Sequence, residues 1–191
     1  MNQKSKLTTQ KLTRLALLTS ASVVLGYIEG IICAFMPLPP GIKLGLANTV
    51  VLYSIYTIGV SGSIMLIILK VVLTGFMSGN LAAAFFYSMG GAVLSLISML
   101  LVKNIGGEKV SIVGVSVVGA VFHNIGQLLV ASLLLGTPGL MFYAFVLMIS
   151  AVITGTLTGL AGNQVLRVLS VPGDKGRREV KKTAPKGDSR Q

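Results

Sequence analysis

From residue 110 to residue 166 the chain carries no Lys, Arg, Asp or Glu. A surface helix of a soluble protein needs a charged or polar face opposite its apolar stripe, and a stretch this long without charge cannot supply one. The stretch breaks once, at Gly136-Thr137-Pro138-Gly139, leaving two apolar runs that each exceed the roughly 20 residues needed to cross a bilayer. Only 11% of the 191 residues are charged, against about 25% in soluble domains, and the mean hydropathy is +0.85. The chain reads as an all-α, integral membrane protein.

The formal net charge of +11 invites a nucleic-acid reading, which its distribution argues against. Lys4, Lys6, Lys11 and Arg14 stand at the start, and eight of the remaining basic residues run from Arg167 to Arg190. Basic ends around an apolar middle are the mark of the positive-inside rule and of contact with anionic lipid, not of a basic groove. The run from Leu15 to Leu25 after a basic start resembles a signal peptide, but more apolar sequence follows it, so it is taken as a first membrane helix. The single cysteine, Cys33, excludes an intramolecular disulfide or a cysteine-based metal site.

Six helices are expected: Thr13–Met36, Ile42–Ile58 (short), a third continuing from the Gly59–Gly62 turn to Phe76, Leu81–Val102, Val110–Leu135 and Leu140–Leu169. Residues 1–12 form a basic N-terminal segment, 13–169 the six-helix transmembrane domain, and 170–191 a basic tail expected to be disordered. An even helix count puts both termini on one side. If that side is cytoplasmic, the inner segments hold 14 of the 16 Lys and Arg residues, so both ends are expected in the cytoplasm of a cell whose inner membrane the protein spans.

Ionisable residues inside spanning segments are costly and default to functional hypotheses. Four stand out: Glu29, Lys43, Lys70 and His123, with Asn48, Asn80, Asn124 and Gln127 as uncharged companions. His123 and Gln127 lie four apart and share a helix face, with Asn124 beside them. Lys70 must face the bundle, a partner or a ligand. The site expected to bind a polar or anionic ligand is therefore Lys43, Asn48, Lys70, His123, Asn124 and Gln127. The structural alternatives are a Glu29–Lys43 loop brace, a Glu29–Lys70 pair and a His123 that only packs. Ser22, Gly26 and Gly30, like Ser150, Thr154, Thr158 and Gly162, repeat at four residues and permit close helix approach.

Two segments, Pro40-Gly41-Ile42-Lys43-Leu44-Gly45-Leu46-Ala47-Asn48 and Gly119-Ala120-Val121-Phe122-His123-Asn124-Ile125-Gly126-Gln127, together with Lys70 and the Gly90-Gly91 pair, resemble the Gx transporter family. That family is also labelled heptaprenyl diphosphate synthase component I, and it resembles the S components of energy-coupling factor transporters. The resemblance implies a six-helix, S-component-like subunit that captures a ligand from outside. It also implies a coupling subunit and ATPases as partners, a lid at Pro37–Gly41, and a docking face at Ser22 and Gly26. No GxxxxGK[ST] loop is present, so ATP hydrolysis would fall to those partners.

The synthase label implies instead an accessory role beside a prenyl synthase catalytic subunit. Prenyl transfer needs magnesium held by clustered carboxylates, and the only aspartates, Asp174 and Asp188, lie in the tail. The chain is expected not to be an enzyme and to need no cofactor. A third reading is a membrane scaffold for a flavin- or quinone-linked redox complex.

Overall fold

A computed structural model describes residues 3–35, 44–77 and 81–169. Lys43, Asn80, the Pro37–Gly41 lid and the 170–191 tail lie outside these residues. Six α-helices follow one another: α1 (Gln3–Phe35), α2 (Leu46–Thr57), α3 (Gly59–Met77), α4 (Leu81–Gly106), α5 (Ile112–Leu135) and α6 (Ala144–Leu169). Among the described residues there is no β-strand. All but α2 contain a segment long and apolar enough to cross a membrane, and the protein is a multi-pass membrane bundle.

The expected helix count holds, but the lengths differ in instructive ways. The described part of α2 has 12 residues, about 18 Å at 1.5 Å per residue, well short of a bilayer core of about 30 Å. The sixth helix starts at Ala144, not Leu140, because Pro138–Tyr143 forms a 3-10 turn first. α4 runs through the expected Lys103–Lys109 loop as far as Gly106 before a short 3-10 turn, Gly107–Lys109. No proline interrupts it earlier, so the helix outlasts the apolar run. For the same reason α1 begins at Gln3, within the basic segment. The turn between α2 and α3 needs only Gly59, at φ 79°, a left-handed conformation open to glycine; Gly62 is already inside α3. Ser111 caps α5, its hydroxyl accepting from the Gly114 N–H at 3.1 Å.

Side-chain contacts fix how the helices run. Ser22 Oγ donates to the Ala47 carbonyl at 3.2 Å, while Glu29, further along α1, meets Gly45 at the start of α2, so α1 and α2 are antiparallel. Ser54 Oγ donates to Ser63 Oγ at 2.7 Å and Lys70 Nζ to Asn48 Oδ1 at 3.1 Å, so α2 and α3 are antiparallel too. α6 runs parallel to α2: Thr158 lies beside Gly45, and Gly162 beside Leu52. The start of α1 and the end of α6 therefore sit at one end of the bundle. Lys103 marks the same end, donating to the Ile55 carbonyl at 3.0 Å with its ammonium 4.1 Å from the Tyr56 ring centroid.

In lipid, no hydrophobic force drives one apolar helix onto another, so close packing and polar contacts must hold them. Buried serines and threonines do this here, among them Ser22, Ser54, Ser63, Ser116 and Thr158; the Ser116 and Thr158 hydroxyls lie 3.0 Å apart across α5 and α6. The apolar core gathers around α2, where Leu52, Ile55, Leu66, Val71, Met99 and Val115 are all buried.

The tightest crossing is α4 on α5. A Cβ added at Gly126 would sit 2.5 Å from the Gly90 carbonyl oxygen, and one at Gly91 would sit 2.6 Å from Gln127 Cγ. The Ser22/Gly26 face, expected to dock a partner subunit, is taken up within the chain. Ser22 is fully buried against α2, and Gly26 lies 3.5 Å from the Ala47 Cβ by the same measure.

Candidate functional site: a polar cavity among six helices

At the end of the bundle opposite the chain-terminal helix ends, the helices enclose a cavity of about 770 Å³. Its size falls within the usual range of small-molecule sites. Asn48 from α2, Lys70 from α3, and His123, Asn124 and Gln127 from α5 all line it. Five of the six expected site residues thus share one cavity; the sixth, Lys43, is outside the described residues.

Each polar side chain reaches the cavity for a reason visible in the helices around it. Lys70 lies midway along α3, and its ammonium donates to Asn48 Oδ1 at 3.1 Å. That neutral amide fixes the position of the charge without cancelling it. Asn124 Nδ2 donates to the Leu147 carbonyl at 2.9 Å, tying α5 to α6 and leaving its amide oxygen toward the cavity. His123 and Gln127 stand one turn apart on α5, and Gly91 of α4 lies directly against both. A Cβ at Gly91 would come within 2.8 Å of the His123 carbonyl oxygen and 3.1 Å of His123 Cε1. The glycine pair on α4 thus allows α5 close enough for its polar stripe to face inward. Thr74 also lines the cavity, but its hydroxyl donates back to the Lys70 carbonyl at 2.8 Å.

Glu29 has a role that its sequence neighbours did not announce. It is 4% exposed and lines the same cavity. Its carboxylate accepts the N–H of Gly45, the residue that caps α2 in a left-handed conformation at φ 81°. A carboxylate at a helix N-terminus is stabilised by the helix dipole and by N–H groups that lack a partner within the helix. Glu29 and Lys70 thus each take a neutral partner from the first turn of α2, one helical turn apart. The expected Glu29–Lys70 pair is replaced by this arrangement.

Removing the Glu29 carboxylate should expose what it does. Glu29→Ala strands a buried N–H and should cost about 1–3 kcal/mol of stability, while Glu29→Gln, which keeps the acceptor, should retain most of it. Thermal melts of the two variants in one detergent check this; equal losses would assign the effect to charge and not to the hydrogen bond.

Sequence reasoning missed Glu29 as a cap, and it missed Tyr27, Cys33 and Ser88 as cavity residues. A signal for the cap was present: Gly45 directly precedes the apolar run that becomes α2. Tyr27 and Ser88 are uncharged and gave none.

Comparison with known proteins bears on the whole helical domain. No curated protein and no solved structure matches the chain. The family model described as heptaprenyl diphosphate synthase component I matches residues 18–165, from the first turns of α1 almost to the end of α6. The chain belongs to the heptaprenyl diphosphate synthase component I family.

Proposed function

We propose that this chain is a non-catalytic, ligand-binding membrane subunit that captures a small molecule with a polar or anionic head group and works through partner subunits. One observation carries the reading: a single cavity of about 770 Å³ gathers Asn48, Lys70, His123, Asn124 and Gln127. A lysine placed near the middle of a spanning helix is too costly to keep without a task. Its ammonium, with amide and imidazole donors around it, suits phosphate, carboxylate or carbonyl oxygens.

With both helix ends cytoplasmic, as the 14-of-16 charge asymmetry favours, the cavity lies in the outer half of the membrane. That arrangement suits capture from outside by an S-component-like subunit, with a coupling subunit and ATPases supplying energy. The burial of Ser22 and Gly26 against α2 means that such a partner would have to use another surface. A second reading, favoured by the family description, is an accessory subunit that holds a prenyl-type ligand for a separate prenyl synthase catalytic subunit.

Native mass spectrometry of the gently extracted protein tests the shared claim. A retained small molecule with an acidic group is expected; a chain found only at its bare mass, across mild detergents, would count against it. Orientation has its own test. With Cys33 replaced by Ala and a cysteine placed at Ser170, a membrane-impermeant maleimide added outside intact cells should leave the chain unlabelled. Efficient labelling would reverse the topology.

A further inference from the structure

We infer that the cavity opens sideways into the bilayer between α1 and α6, and that its ligand is an anionic-headed lipid whose apolar tail leaves through that opening. The inference rests on the reading of the cavity as a ligand site and adds the class of ligand and its route.

The opening follows from how the helices meet. α1 packs on α2 and α3, and α6 packs on α5 and α2, but α1 and α6 have no extended contact with each other among the described residues. What stands between them is α2, and its helix begins only at Leu46. Around that first turn α2 touches both neighbours, through Glu29 of α1 and Thr158 of α6. Beyond that level, along α1 from Gly30 onward, no described helix separates the two.

The wall at this position behaves as a rim. Tyr27, Gly30, Ile31 and Ala34 are spaced to share one face of α1, and all four line the cavity. All four are also exposed, Tyr27 at 57% and Ile31 at 45%. A residue that both lines a cavity and is half exposed marks the side on which the cavity is open. A Cβ added at Gly30 meets nothing within 4 Å, so the space beside the rim is real.

The chemistry of the rim selects the occupant. The segments Thr9–Phe35 and Ala144–Val168 are both long and apolar enough to span the membrane, so this opening gives onto hydrocarbon, where a wholly polar solute finds no hydrogen-bond partners. The polar groups lie inward, at Lys70, Asn48 and His123, and the apolar ones outward, at Tyr27, Ile31 and Ala34. An amphiphile with its anion on Lys70 and its chain across Tyr27 satisfies both ends. Glu29 leaves the anion preference intact because its carboxylate is already held by the Gly45 N–H.

The test compares inorganic phosphate, butyl phosphate and decyl phosphate on the full chain in nanodiscs, with a Gly30→Phe variant that narrows the opening in free space. Decyl phosphate should bind the wild type, and Gly30→Phe should weaken it at least tenfold while leaving the head-only butyl phosphate unchanged. The chain contains no tryptophan, so Tyr27→Trp gives a single reporter at the rim. Decyl phosphate brominated along its tail should quench Trp fluorescence there more strongly, and saturably, than at Leu133→Trp on the lipid-facing side of α5, where Leu133 is 81% exposed. Butyl and decyl phosphates both indifferent to Gly30→Phe, with equal quenching at the two reporters, would overturn the lateral route and leave the pocket standing. Failure of all three phosphates to bind would overturn the pocket reading and this inference with it.

Discussion

Gly126→Ala should destabilise the protein by about 2–3 kcal/mol and empty the cavity of its ligand. The new methyl would lie 2.5 Å from the Gly90 carbonyl oxygen, 2.9 Å from the Gly90 carbonyl carbon and 3.0 Å from the Gly91 Cα. All three are backbone atoms, so no rotamer change relieves the clash and α4 must move away from α5. Overpacking a close-packed interface costs about 1–3 kcal/mol, and the upper half applies where backbone meets backbone. Because His123 and Gln127 flank Gly126 on α5, the same movement withdraws the support that Gly91 gives them. Gly30→Ala is the matched control: its methyl meets nothing within 4 Å, and alanine favours the helix by up to about 1 kcal/mol over glycine. Thermal melts of the two alanine variants should differ in sign relative to the wild type. Equal melts would mean that the α4–α5 crossing is looser than described.

Lys70→Met should leave the fold intact and lower affinity for an anionic ligand at least tenfold, about 1.4 kcal/mol or more. Methionine keeps an unbranched apolar stem along α3 and removes the ammonium. The lost contact within the protein is one hydrogen bond to Asn48, whose amide remains in a polar cavity. A Lys70 that served stability alone, as the partner of a buried carboxylate, would give the opposite result, since stranding such a charge costs several kcal/mol. The Glu29 carboxylate is held by Gly45, which favours the first outcome. Melting temperature and ligand retention measured on the same sample distinguish the two.

Much of this arrangement was legible in the sequence, and the reason is energetic. Charge is so expensive in a membrane helix that Lys70, His123 and Glu29 identify themselves by position alone, and spacing on α5 adds Gln127. Apolar runs and breakers gave the six helices, and the fourfold spacing of Ser22 and Gly26 correctly marked a close approach.

The illegible parts all depend on rotation and depth. A membrane helix is apolar on its lipid face and on its packed face, so periodicity does not say which neighbour a small-residue stripe meets. Ser22 and Gly26 meet α2 of the same chain. That Lys70 finds Asn48, and Glu29 the N-terminus of α2, depends on where α2 starts, which a glycine at φ 81° determines. Nor does composition reveal that α4 outlasts its apolar run, because helical hydrogen bonding continues until a breaker intervenes.

The central claim is that Lys70 holds an anion inside this cavity, and the protein carries its own reporter. Cys33 is the sole cysteine and lines the cavity wall on α1. The rate of its alkylation by N-ethylmaleimide, followed by mass spectrometry while butyl phosphate is titrated, measures occupancy directly. The wild type should show saturable protection, and Lys70→Met should alkylate at one rate at every phosphate concentration. Protection that is equal in both proteins, or absent from the wild type at saturating butyl phosphate, would contradict the account.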